Sequence, residues 1–154
     1  MEYTPENGDS GNSESEYEEE ETNKDLLLVE MTAIAQSEDY IGSLTELEII
    51  FLPIKSLDNL KLCHNLISLT LVKTGTSSIE GIESCGHSLE SLTIVDWGLE
   101  IMENSLAYLP NLREINLSEN NIPWIQNLDN CLHLEKLSLL SNKISNISGL
   151  NNNK

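Results

Sequence analysis

Leucine and isoleucine recur along this chain with a long period. Aligned on Leu44, Leu66, Leu89, Leu112 and Leu134, the copies are spaced 22, 23, 23 and 22 residues apart. Three positions further on stand Leu47, Leu69, Leu92, Ile115 and Leu137, and two beyond those Ile49, Leu71, Ile94, Leu117 and Leu139. All 15 positions are Leu or Ile, which together make up 41 of 154 residues, so random placement would fill about four. The later columns keep the register: Ile54, Thr76, Leu99, Ile122 and Ile144, then Leu57, Ile79, Met102, Ile125 and Ile147. Leu60, Ile82, Leu128 and Leu150 follow, with Leu106 displaced by one residue around Glu103-Asn104-Ser105.

Each L-x-L segment alternates with period two, which predicts a short strand with its leucines turned inward. Strands of successive coils then stack about 4.8 Å apart as a parallel sheet, and the remaining apolar columns carry the chain back through 3₁₀ or irregular turns. A single coil buries its aliphatics only against its neighbours, so no coil is stable alone. Ahead of the repeats, Leu27, Met31, Ile34 and Ala35 lie at helical spacing with Asp25 placed as N-cap, and a short strand is the competing assignment. Either element would cover the open end of the first coil.

The pattern L-x-x-L-x-L-x-x-N-x-I-x-x-I-x-x-L over residues 44–150 resembles the leucine-rich repeat family, in its 22-residue subclass. A protein phosphatase-1 regulatory subunit and the spliceosomal A-prime protein belong to that subclass. The resemblance implies an α/β leucine-rich repeat solenoid of five coils, with a short parallel concave sheet and a 3₁₀ or irregular convex side. In the family the ninth position is an Asn that bonds to the backbone of adjacent coils. Here that column reads Leu52, Thr74, Trp97, Asn120 and Asn142, so the first three coils must satisfy their turns otherwise, and Asp96-Trp97-Gly98 is expected to bulge outward. The expected organisation is a disordered acidic tail (1–22), an N-terminal cap (23–43) and repeats (44–154) without the family's C-terminal cap. Leu137, Leu139, Ile144 and Ile147 would then face water, as in a fragment of a longer protein or a chain needing a partner there.

Charge narrows the function. Twenty-six acids against 8 bases give −18, which argues against direct binding of nucleic acid or of anionic lipid. Residues 1–22 hold nine acids and no base, too few apolar groups to offset the entropy of ordering them. No stretch is long and apolar enough to span a bilayer, and the acidic start lacks a secretory h-region. Three cysteines without a signal fit free thiols in a reducing compartment. The expected location is the cytoplasm, with the nucleus as the alternative.

Candidate chemistry is sparse. Cys63 and Cys85 share a column and are each followed closely by a histidine (His64, His87), so the spacing admits a Cys₂His₂ zinc site or a Cys63–Cys85 disulfide as well as buried thiols. Cys131 and Leu109 fill the same column, which favours a small apolar core slot and no metal. His133 reads as a loop residue. No nucleophile elbow, phosphate-binding Gly loop or zinc-protease motif occurs, so no enzymatic activity, cofactor or small-molecule substrate is expected. Two sequons, at Asn116 and Asn146, read as chance. Ser13 and Ser15, with Glu16 and Glu18 three residues on, look like acidic-context phosphorylation sites.

Residues between the inward leucines line the concave face, where leucine-rich repeat proteins generally hold partners. An apolar stripe (Ile50, Val72 and Val95, with Phe51 and Trp97 beside it) is rimmed by Glu46, Glu48, Asp96, Glu114 and Glu119, with Lys73 and Asn116 completing the candidate surface. The expectation is a non-catalytic protein–protein interaction module, a scaffold or regulatory subunit of the phosphatase-regulatory or cytoskeletal and axonemal type, binding another protein with a basic surface. The alternative is a nuclear acidic protein binding histones or a ribonucleoprotein component.

Overall fold

A computed structural model describes residues 26–75 and 78–153. The tail 1–22, its Ser13 and Ser15, the N-cap position Asp25 and the core column's Thr76 lie outside the described residues.

Five short strands form one parallel sheet in chain order: β1 (Glu46–Ile50), β2 (Ser68–Val72), β3 (Ser91–Val95), β4 (Glu114–Asn116) and β5 (Lys136–Ser138). The pairing Glu46↔Ser68↔Ser91↔Glu114↔Lys136 follows the repeat column for column. Inward positions 47, 49, 69, 71, 92 and 94 are buried, while their alternates are exposed or half-buried, as a pleated strand requires. Return segments run through 3₁₀ turns at Asp58–Leu62, Ile82–Cys85 and Asn104–Tyr108, which bury Leu60, Ile82 and Leu106. One continuous core runs from Leu27 to Leu134.

The segment before the repeats is an α-helix, α1 (Leu26–Ala35), followed by a 3₁₀ turn at Glu38–Ser43. Leu27 and Met31, one helical turn apart, are fully buried, while Ile34 is 40% exposed and stays off the buried face. Ser37 ends the intervening bend by accepting a hydrogen bond from the Asp39 N–H at 3.3 Å. At the other end Leu137, Leu139 and Ile144 are half-buried against the core, and Ile147 is 79% exposed.

Every coil leaves its strand by the same device. Phe51, Lys73, Asp96, Glu119 and Ser141, eight positions into their coils, all have φ between 51° and 59°. The N–H groups of Phe51, Lys73 and Glu119 donate to the carbonyls of Val72, Val95 and Leu140 in the next coil, at 2.9, 3.1 and 2.8 Å. The left-handed residue then swings the ninth side chain inward.

What fills that ninth slot differs along the solenoid. Asn120 Oδ1 accepts from the N–H groups of Trp97 (3.2 Å) and Leu99 (3.1 Å), and its Nδ2 donates to the Ile94, Leu117 and Ser118 carbonyls. Asn142 repeats this toward Ile122 and Leu117, one coil on. In the first coil a backbone bond substitutes: the Ile54 N–H donates to the Thr74 carbonyl at 3.0 Å.

Trp97 corrects the sequence expectation. Its backbone neighbours do adopt positive φ (Asp96 at 51°, Gly98 at 85°), yet the indole is only 5% exposed and joins the core. Position nine points inward in each coil, and burying a large aromatic there removes more apolar surface than an outward bulge would. Trp97 is therefore no part of the concave surface.

Candidate protein-binding surface

Strand periodicity places Glu46, Glu48 and Ile50 on one side of β1, opposite Ser68, Thr70 and Val72 of β2, which in turn face Ser91, Thr93 and Val95 of β3. The apolar stripe is graded. Ile50 is 45% exposed and Phe51 71%, but Val72 and Val95 are half-buried. In the fourth coil the stripe gives way to the buried Ser118, whose hydroxyl shares a 2.9 Å hydrogen bond with Ser138. Along this column the well-exposed hydrophobic surface thus lies at the two ends of the sheet, at Ile50 with Phe51 in the first coil and at Leu140, 73% exposed, in the fifth.

Charges on this face are partly self-compensated. Lys73 Nζ lies 3.2 Å from Asp96 Oδ2 and 5.7 Å from the centre of the Phe51 ring. Lys136 bonds to Glu114, and this contact raises the lysine's pKa. Arg113, just before β4, reaches Glu90 at 3.7 Å and Glu135 at 2.7 Å. Among the described residues Glu46, Glu48 and Glu119 form no ion pair, and all three are exposed. Asn116 is half-buried, and its Oδ1 accepts from the Ser118 N–H at 3.1 Å, which ties the first sequon into the turn after β4. Ser91, Thr93, Glu114, Asn116, Lys136 and Ser138, with Leu92, Ile115 and Leu137 among them, line a shallow trough of mixed polarity of about 290 Å³ over β3 to β5.

The cysteine column lies behind the sheet. Cys63, Cys85 and Cys131 are free and buried, while His64, His87 and His133 are exposed. The Cys85 thiol points at the Leu60 carbonyl at 3.7 Å, and that of Cys131 at the Leu106 (3.7 Å) and Leu109 (3.6 Å) carbonyls. Burial lifts the Cys63 and Cys131 thiols to about 11 and the Cys85 thiol, with neighbouring Cys63 adding to it, to about 12. Thiols held protonated in this way are poor nucleophiles and poor ligands.

A second set of amides, beyond those the repeat pattern predicts, joins the coils. Asn65 donates to the Gly42 carbonyl (2.8 Å), Asn111 to that of His87 (3.0 Å) and Asn130 to that of Ala107 (2.9 Å), each joining one coil to the coil before it. Asn153 takes the place of the cysteines in the fifth coil and donates to the Cys131 carbonyl at 2.8 Å. The available signal was Asn65 and Asn111, both directly before the first leucine of a coil.

No family model matches the chain, and no curated protein sequence does. Among solved structures, an internalin from Listeria monocytogenes superimposes with a TM-score of 0.63 at 19% identity, over 78% of this chain and 44% of that one. The chain thus spans less than half the length of that internalin. No helix among the described residues is long and apolar enough to cross a membrane. One parallel strand per coil of 22 or 23 residues, with 3₁₀ turns behind the sheet and this structural likeness, makes the chain a leucine-rich repeat solenoid.

Proposed function

We propose that the chain is a non-catalytic protein–protein interaction module that holds its partner on the concave face, as a scaffold or regulatory subunit in the cytoplasm or nucleus. A single observation carries this reading: Ile50 and Phe51 stand exposed side by side on a regular sheet surface, with carboxylates along the same strand. Apolar side chains set in a charged rim on a rigid platform are what protein partners bury. Glu46, Glu48 and Glu119, which form no ion pair among the described residues, favour a partner whose surface is basic, and the net charge of −18 disfavours nucleic acid. The resemblance to the 22-residue subclass points toward phosphatase-regulatory, cytoskeletal or axonemal roles. The same net charge supports a second reading, a nuclear factor that binds histones or a ribonucleoprotein component.

Affinity capture with the full chain, with and without Ile50→Ala and Phe51→Ala together, tests the first reading. Partner recovery should fall at every salt concentration, and unchanged recovery would remove the concave face from consideration. Capture of histones that vanishes at moderate salt and on deleting residues 1–22 would instead favour the second.

A further inference from the structure

We infer that the segment seated at the first-coil end of the concave face is a polypeptide carrying Lys or Arg within one or two residues of a large apolar side chain. This rests on the concave-face reading and adds to it the chemistry of the partner.

Glu46 and Glu48 are two residues apart on β1, so their side chains leave the same face about 7 Å from one another. Their partners across the sheet are the neutral Ser68 and Thr70. Both lysines of the face are engaged elsewhere, Lys73 with Asp96 and Lys136 with Glu114. Two exposed carboxylates are thus set side by side with no cation of the described residues paired to them, an arrangement that repels within the free protein. Continuing along β1, the next residue on that side is Ile50, and Phe51 follows it, both exposed. An aliphatic or aromatic group resting on Ile50 and Phe51 leaves a neighbouring Lys or Arg within reach of Glu48 and then Glu46. Arginine suits the place best, since its planar fork meets carboxylates with two parallel bonds.

Charge complementarity also decides against two occupants closer to hand. Residues 1–22 of the same chain bring nine acids and no base, and a second copy brings a net −18. Both would add negative charge to negative charge.

Three synthetic dodecapeptides, alternating Leu–Arg, Leu–Glu and Gly–Arg, can be titrated into the ¹⁵N-labelled full chain and followed by NMR. The Leu–Arg peptide should shift the Glu46–Phe51 amides and bind about tenfold tighter than either other peptide, more weakly as salt rises. Glu46→Gln with Glu48→Gln should lower that affinity about tenfold and flatten the salt dependence, while the denaturation midpoint stays level or rises. Ile50→Ala with Phe51→Ala should weaken binding at every salt concentration. Binding by Leu–Arg equal to that of Leu–Glu, shifts scattered over all acidic positions, or indifference to the Glu variants would each overturn the inference. If only the Ile50 and Phe51 substitutions matter, the concave-face reading stands without this partner chemistry; if neither pair matters, both fall.

Discussion

Asn120 and Trp97 occupy the same position of successive coils, and Asn120 Oδ1 holds the backbone N–H of Trp97 at 3.2 Å. The asparagine spends all its hydrogen-bonding capacity on backbone, whereas Trp97 Nε1 is buried with no partner among the described residues. One slot therefore serves two kinds of coil. In the C-terminal coils it is a polar clamp; in the first three it holds Leu52, Thr74 and Trp97, and in the first a direct backbone bond from Ile54 to Thr74 takes over the clamp's task.

Removing the clamp should be costly. Asn120→Ala leaves the Trp97 and Leu99 N–H groups and the Ile94 carbonyl without this partner inside the core, for a loss of about 3–5 kcal/mol. Asn142 is half-buried, so Asn142→Ala should lose only about 1–2 kcal/mol. Urea denaturation of the two variants against the parent checks the ranking. Equal losses would mean that burial does not set the value of the clamp.

Thr74 shows the opposite sign. Its hydroxyl is fully buried and has no hydrogen-bond partner among the described residues. Thr74→Val replaces that oxygen with a methyl of similar size and should stabilise the fold by about 1 kcal/mol. A fall in the denaturation midpoint would show that the hydroxyl is in fact bonded.

Gly86 is fixed by space, not by conformation. Its φ of −59° suits any residue, but a Cβ there would overlap the Tyr108 carbonyl oxygen of the next coil. Gly86→Ala must push two coils apart, a change of about 2–4 kcal/mol, and should lower the thermal midpoint well below that of a surface substitution such as Glu100→Ala.

The left-handed column offers a test with both signs. Ser141 is exposed at φ 55°. Asn tolerates that region, so Ser141→Asn should gain about 0.5 kcal/mol, while the β-branched Ser141→Val should lose about 1–2 kcal/mol. Denaturation midpoints that move in the same direction would argue against backbone strain as the determinant.

Strand register was legible because period two and a repeat of 22 or 23 residues constrain it twice over. Glu46, Ser68, Ser91, Glu114 and Lys136 line up in the sequence and pair in the sheet. Position nine was not legible, because the column mixes Leu, Thr, Trp and Asn, and hydropathy cannot say whether an indole caps the core or leaves it. Only the backbone turn at Asp96 and Gly98 settles that Trp97 goes inward. The stripe of Ile50, Val72 and Val95 looked uniform on paper, yet only its edge-strand member is well exposed, since burial depends on neighbouring coils that a composition column does not contain. In the sequence the cysteine column reads as apolar filler. The aim of Cys85 and Cys131 at carbonyls of the preceding turn, and Asn153 in the same column, show a slot that also takes a donor.

The thiols give a pH dependence whose sign follows from their environment. Cys63, Cys85 and Cys131 have folded-state values of about 11, 12 and 11, above the ordinary value near 9 that holds once the chain unfolds. Below pH 9 both states keep their protons, and the preference of the folded state for the neutral thiol is fully present. Above it the unfolded chain releases protons that the folded chain still holds, so stability falls as pH climbs from 9 toward 12. Denaturation midpoints across this range should drop for the parent and less steeply for Cys85→Ala, a comparison that cancels the lysines and tyrosines titrating in the same window. Equal slopes would show that Cys85 ionises alike in both states. The same burial should leave the three thiols unreactive toward a disulfide reagent at neutral pH until denaturant is added, and rapid labelling of the native chain would contradict the packing of the whole column.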